Sequence, residues 1–370
     1  MTAFNPQIPF NQLPLLQDCP AFKDKGIERL CKQVSGALRA LKNNFSAQLM
    51  HSALNALLIK EAAVNANLNY SPDEIGKLAR FISLDQIPNE PKLHRAFVYH
   101  EVLSTQYYLV HQRRTCTATA IALARQLTAD DIGIRHHYGP AIVRGSRQQS
   151  LYQPPAGESI IRSRLANWEL FLHERVDLHP LVRMAVGLFQ FFSISPFHSA
   201  NLRSAHILSQ LYLIDKGILD TPVLNLSTYL LKYRRSYEDL FLQVHQNQAW
   251  KEWMEFILKA LFHQAQHMHQ QLQLFKQLWS TIQEQVGQTN ISSNTSALVE
   301  LLMQRPYCTA RHLVDAGIVQ RHTASSYLKQ LSQQGILTEE RSGRQKHYIN
   351  SPLLHLIQFE KPAEPNSWII

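Results

Sequence analysis

The densest chemistry in the chain lies in Ser195-Pro-Phe-His-Ser-Ala-Asn-Leu-Arg-Ser-Ala-His206, where hydroxyl, imidazole, amide and guanidinium groups follow one another closely. Apolar runs bracket this stretch, Leu181–Ile194 before it and Ile207–Ile218 after it. The pattern predicts a short loop, Pro196 to about Ala200, between two apolar helices. Such a loop presents the unpaired N–H groups of a helix start, which favour an anion. Asn201 and Arg203 fall in the first helical turn, placed to meet a phosphate, and His206 follows one turn beyond Arg203. The plainer use of an arginine at a helix start is a structural contact.

The elements that must hold this loop read as helices. Residues 1–22, punctuated by Pro6, Pro9, Pro14 and Pro20, predict an extended arm anchored by Phe4, Phe10, Leu13 and Leu15. Apolar spacing from Asp24 to about Asn67 predicts two helices, and Ser71-Pro72 a helix start. Helical patterns continue over Leu93–Leu109, Thr117–Leu127, Ser159–Glu174, Ser227–Gln246 and Trp250–Val286, with Trp250 and Trp253 as core residues. The glycine- and proline-bearing segment Ile132–Pro155 predicts a hairpin from Ala141–Arg144 and Ser150–Tyr152, closed by Pro154-Pro155.

Beyond the polar stretch 287–296, a linker by composition, the pattern changes. Helices over Ala297–Gln304, Thr309–Ala316 and Thr323–Gln334 precede Ile336–Glu340, a turn at Ser342-Gly-Arg344, and Lys346–Ile349. That order is a winged helix-turn-helix. Its candidate DNA-binding residues are Arg311 and His312 at the start of the middle helix, then Gln320, Arg321, His322, Thr323, Ser325, Ser326 and Lys329 on the recognition helix. Arg341, Arg344 and Lys346 would serve from the wing tip.

Composition sets bounds. A net charge of +9 is compatible with a polyanionic partner. No uninterrupted apolar run is long enough to span a membrane. The start Met1-Thr-Ala-Phe lacks the basic and apolar regions of a signal peptide. Cys19, Cys31, Cys116 and Cys308 form no CxxC pair, which argues for reduced thiols in the cytoplasm and against a zinc site. His263, His267 and His269 share helical spacing but read as a solvated Gln-rich face, so no metal site is assigned. His136 and His137, beside the hairpin, are read the same way.

The central stretch resembles the motif H-P-F-x-[D/E]-G-N-[G/K]-R-x-x-R of Fic-domain proteins, whose full-motif members are mostly protein adenylyltransferases. The likeness extends to the Pro9–Pro14 arm, the Gly139–Pro155 hairpin as the family's flap, Pro222–Ser227, Arg235–Leu240, Trp250–Trp253 and the C-terminal winged helix. It implies a mainly α Fic-fold helical body with a small β-hairpin flap, plus the C-terminal winged helix-turn-helix. Pro196, Phe197, Asn201 and Arg203 match the motif. The rest departs from it. Ser195 stands at the position of the catalytic histidine, Ser199 at that of the metal-binding carboxylate, Ala200 and Leu202 at the two glycines, and His206 at the last arginine. A serine hydroxyl is no base near neutral pH, and hard cations want a carboxylate. Ala and Leu disfavour the left-handed backbone of a phosphate nest. His198 and His206 are read as ordinary polar positions rather than replacements for the base. The family's inhibitory pattern [S/T]-x-x-x-E-[G/N] falls on His51 to Ala56, with Asn55 at the glutamate.

By this resemblance the chain divides into an arm with the degenerate inhibitory-helix region (1–100), a Fic-like domain (101–286), a linker (287–296), a winged helix (297–358) and a tail (359–370). The implied function is lost or weakened AMP transfer with DNA binding and regulation. Residual nucleotide contacts fall to Asn201, Arg203 and His206. One alternative is an active adenylyltransferase with an unorthodox site, using ATP and Mg²⁺. The other is a module whose flap captures a target peptide by strand addition. Winged helices often pair, which is the basis for expecting a homodimer.

Overall fold

The computed structural model describes residues 5–16, 22–66, 68, 71–109, 114–139, 141–144, 149–291, 294–342 and 345–359. Arg344, Phe4, Pro20, Cys19, the hairpin tip 145–148 and most of the tail lie outside the described residues. In chain order the elements are α1 (Lys25–Asn43), α2 (Ala47–Asn65), α3 (Pro72–Ser83), α4 (Pro91–Leu109), α5 (Thr117–Thr128), β1 (Ile142–Arg144), β2 (Gln149–Tyr152), α6 (Glu158–Glu174), α7 (Pro180–Ile194) and α8 (Asn201–Asp215). Then come α9 (Leu226–Lys232), α10 (Arg234–Asn247), α11 (Trp250–Gly287), α12 (Thr295–Gln304), β3 (Tyr307–Cys308), α13 (Ala310–Asp315), α14 (Arg321–Gln333), β4 (Thr338–Ser342), β5 (Gln345–Ile349) and α15 (Ser351–Gln358). The fold is mainly helical. Two compact units divide it: residues 1–42 with 101–265, and 43–100 with 266–370.

The first unit is built on α7, whose sequence PLVRMAVGLFQFFSI is apolar on nearly every face and buried almost throughout. Helices that are hydrophobic all round sit in core centres. Pro180 opens it and the His179 imidazole caps it, accepting from the Leu181 N–H at 3.2 Å. Trp168 of α6 donates to the Gly187 carbonyl (3.0 Å), and Trp253 of α11 to the Ala185 carbonyl (2.8 Å). Both indoles thus bury their rings without orphaning their N–H. The arm runs along this unit: Gln190 donates to the Pro14 carbonyl and Asn167 accepts from the Leu16 N–H. Leu16, at 1% exposure, is the anchor beside Leu13 where the sequence pointed to Leu15. The hairpin β1–β2 is antiparallel with an irregularity between Ile142 and Val143.

The second unit holds the winged helix, with strand order β3-β5-β4, packed with α2 and α3. The Asn350 amide donates to the Leu302 carbonyl and accepts from the Leu353 N–H, tying the end of β5 to α12 while capping α15. Arg80 of α3 pairs with Glu340 at 2.9 Å and lies over the Tyr307 ring.

Several expectations change. The helix expected over Ser227–Gln246 is two, because the backbone leaves helical geometry at Tyr233. Residues 232–236 are all exposed, so no apolar side chain holds that turn against the core. The helix expected over Thr323–Gln334 begins earlier, at Arg321, since Gln320 is extended and its carbonyl accepts from Ala324. Its first turn carries no buried apolar residue for periodicity to detect. Strand β3 and helix α15 add to the expected wing. The histidines of α11 are half-buried, not solvated: His263 stacks on Tyr229, and His269 meets Phe45 and Asn44. Among the described residues, no helix is long and apolar enough to cross a membrane.

The core of the first unit also contains two neutral histidines. Burial pulls His206 down to about 4 and His245 down to about 3. His245 stacks on Tyr152 at 4.4 Å and packs against Phe10, Phe189 and Phe241. Folded values below the unfolded value of about 6.5 mean that the fold favours the neutral rings. Their contribution is complete above about pH 6.5 and is lost as pH falls toward the folded values. Each group adds a slope of about 1.4 kcal/mol per pH unit in that window. Urea unfolding compared between about pH 7 and pH 5 should show this loss, and His245→Phe should flatten the dependence.

Candidate functional site

The central loop begins where α7 stops inside the core. A helix end leaves its last four carbonyls without partners, and burying them unpaired is costly. Every one is met here. Ser195 is left-handed (φ 41°), its N–H donates to Phe191 at 3.0 Å, and its hydroxyl donates to Phe192 at 2.6 Å. The Tyr152 hydroxyl donates to Ser193 (3.0 Å). Arg135, only 1% exposed, supplies the rest: Nη2 to Ile194 (3.0 Å), Nε to Ser195 (2.8 Å), and its backbone N–H to Pro196 (3.0 Å). Its Nη1 donates to His137 at 2.7 Å. Burial pulls the guanidinium down to about 10, so it remains a cation at neutral pH. A cation at a helix C-terminus also complements the macrodipole. Arg135 was not singled out in the sequence, where nothing marks a lone arginine in a loop as a helix cap. Gly139 fits closely over it: a Cβ there would lie 2.5 Å from Arg135 Nε.

The loop is closed by Asn201. Its Oδ1 accepts from the Phe197 N–H (2.9 Å) and its Nδ2 donates to the Phe197 carbonyl (2.8 Å). Phe197 is fully buried against Phe191. Ala200 adopts the left-handed conformation (φ 63°) that an alanine disfavours, so the turn forms without a glycine. That conformation costs an alanine roughly 1–2 kcal/mol, carried by Asn201 and Phe197. His198 and Ser199 are exposed, and Leu202 and Arg203 are half-buried in the first turn of α8. His206 is buried, and its Nδ1 meets the Ser227 hydroxyl at 2.8 Å.

These residues do not fit a metal–nucleotide site of the kind the resemblance implies. Residues 195–206 include no carboxylate, and a hard cation bridging phosphates wants one. The His206 ring is neutral and turned to Ser227, so it offers no charge to a phosphate. Both functional atoms of the Asn201 amide are engaged by the loop itself.

Asn55, at the inhibitory-glutamate position, lies in the second unit. Its Nδ2 donates to the Gln304 carbonyl (2.8 Å), and its Oδ1 meets His100 Nε2 (2.7 Å). The side chain joins α2, α4 and α12.

On the winged helix, Ala324, Leu328 and Leu331 of α14 face inward, while Arg321, His322, Ser325, Ser326 and Lys329 are exposed. Thr323 is half-buried. Arg311 pairs with Asp315 (3.1 Å). Lys346 pairs with Glu339 (2.8 Å), and Arg341 with the same carboxylate (3.4 Å). His312, beside Arg311, is buried, and its ring accepts from the Thr309 N–H.

A Fic family protein of known crystal structure from Desulfovibrio desulfuricans superposes with a TM-score of 0.54, covering 89% of this chain and 97% of that one at 17% identity. The chain has the Fic fold. Residues 274–353 of this Fic-fold protein match the family described as the C-terminal domain of SoFic-like protein adenylyltransferases. The match runs from within α11 into the first turn of α15, so it covers the helix-turn-helix and its wing.

Substitutions at two positions test these placements. Arg135→Met in the Fic-fold body removes the donors of three carbonyls and should lower stability by about 3 kcal/mol or more. Arg135→Lys should recover only part, because an ammonium cannot reproduce the planar fork. Asn55→Glu should lower stability by about 1–3 kcal/mol, since a carboxylate cannot donate to the Gln304 carbonyl. Chemical denaturation measures both.

Proposed function

We propose that this Fic-fold protein has lost AMP transfer, or retains it only weakly, and works as a DNA-binding regulator through its winged helix. One observation carries the catalytic half. Ser195, where the resembled family keeps its base, is 2% exposed, and its hydroxyl donates to the Phe192 carbonyl at 2.6 Å. A general base must reach the proton that it takes, with a lone pair free at the operating pH. Ser195 instead completes a helix cap. The engagement of Asn201 with Phe197 and the neutrality of His206 support the same reading.

The DNA-binding half rests on the exposed face of α14. Its first turn presents Arg321 and His322, and Ser325, Ser326 and Lys329 continue the same polar face. An exposed helix with basic and hydroxyl side chains in its first turns can meet phosphates and base edges in a major groove.

Incubation with labelled ATP and Mg²⁺ should give no self-labelling and no labelling of a cell lysate. Clear labelling abolished by Arg203→Ala would overturn the loss of catalysis. Duplex DNA at low salt should be retarded, and Arg321→Ala should weaken that binding and lower its salt slope by about 1. Absence of binding at low salt, where phosphate contacts are strongest, would overturn DNA binding.

A further inference from the structure

The wing of the second unit holds two of the cations offered for DNA binding in an arrangement that the sequence could not show. In the β4–β5 ladder Arg341 lies directly opposite Lys346. Like charges facing one another across a ladder destabilise it. Glu339 relieves this. It lies two residues from Arg341, on the same face of β4. Its Oε1 is 2.8 Å from Lys346 Nζ and 3.4 Å from Arg341 Nε. One carboxylate oxygen therefore occupies the place between two cations that a phosphate oxygen would take. The next residue, Glu340, pairs elsewhere, with Arg80. The trio is open to a ligand: the side chains of Arg341 and Lys346 are 71% and 43% exposed, and that of Glu339 is 26% exposed. Arg321 and Lys329 of α14 have no acidic partner within ion-pair distance among the described residues.

We propose that Glu339 is an internal competitor for the nucleic-acid backbone, holding Arg341 and Lys346 in place of a phosphate so that α14 dominates binding. The inference rests on the DNA-binding reading. A phosphate arriving at the wing gains two cations but meets the carboxylate between them. The three groups together offer a net single positive charge, where the two cations alone would offer two. The occupant is duplex DNA, argued from charge complementarity: paired cations on an exposed wing, next to a helix whose outer face is basic and polar. The carboxylate keeps non-specific affinity low, because that affinity comes almost entirely from phosphate contacts.

The test is the salt dependence of binding of the full-length chain to a duplex of random sequence. Glu339→Gln should bind several-fold tighter near physiological salt and steepen the slope of log K against log salt by about 0.9. Glu339→Ala should do the same, and thermal unfolding would check that both variants remain folded. The gain should vanish when Arg341→Ala and Lys346→Ala are added to Glu339→Gln. Glu90→Gln, which removes an exposed acid elsewhere in the same unit, should leave the slope unchanged. The inference is overturned if Glu339→Gln binds no tighter than the native chain while Arg321→Ala still weakens binding. It is equally overturned if the gain survives loss of Arg341 and Lys346, or if Glu90→Gln reproduces it. If neither the native chain nor Glu339→Gln binds at low salt, the DNA-binding reading itself fails, an outcome distinct from the others.

Discussion

The Arg135 guanidinium at the C-terminus of α7 is the interaction on which the first unit depends. A nearly all-apolar helix has to stop in the middle of a core so that the loop after it can form. Stopping there strands carbonyls where water cannot reach them, and each would cost a large part of a folded protein's margin. Arg135 meets Ile194 and Ser195 with its side chain and Pro196 with its backbone, and Tyr152 meets Ser193. Arg135 precedes the hairpin and Tyr152 ends it, so the base of the hairpin and the turn of the loop are one hydrogen-bonded assembly. The arm is joined to it through Phe10, whose N–H donates to the Gln153 carbonyl.

The loop that results satisfies itself. Ser195 donates back to α7, Asn201 folds onto Phe197, and His206 faces Ser227 as a neutral ring. Polar groups at positions that resemble a nucleotide-binding motif are turned to structural ends. The turn keeps its shape even with Ala200 in a left-handed conformation, because packing and hydrogen bonds over-determine it.

The second unit shows a similar economy of charge. Asp315 accompanies Arg311, Glu340 accompanies Arg80, and Glu339 accompanies two cations of the wing. Arg321 and Lys329 on the outer face of α14 have no such acidic partner among the described residues. Asn55 belongs to this unit too, as a bridge to α12, so the helix with the inhibitory-like pattern is fastened to the winged helix.

The sequence alone determined most helices, the hairpin, the wing and the likeness of the central loop to a known motif. Those features rest on apolar periodicity, turn residues and local spacing, which are written in consecutive positions. The Trp250 and Trp253 core positions were legible for the same reason. The tertiary structure alone decided that Arg135 caps α7, that α14 starts at Arg321, that His263 and His269 pack rather than face water, and that Asn55 is a joint. Each of these depends on a partner distant in the chain or on a turn with no apolar residue. Burial and hydrogen bonding across such distances leave no periodic trace, because a single polar residue looks alike whether it meets solvent or a buried carbonyl.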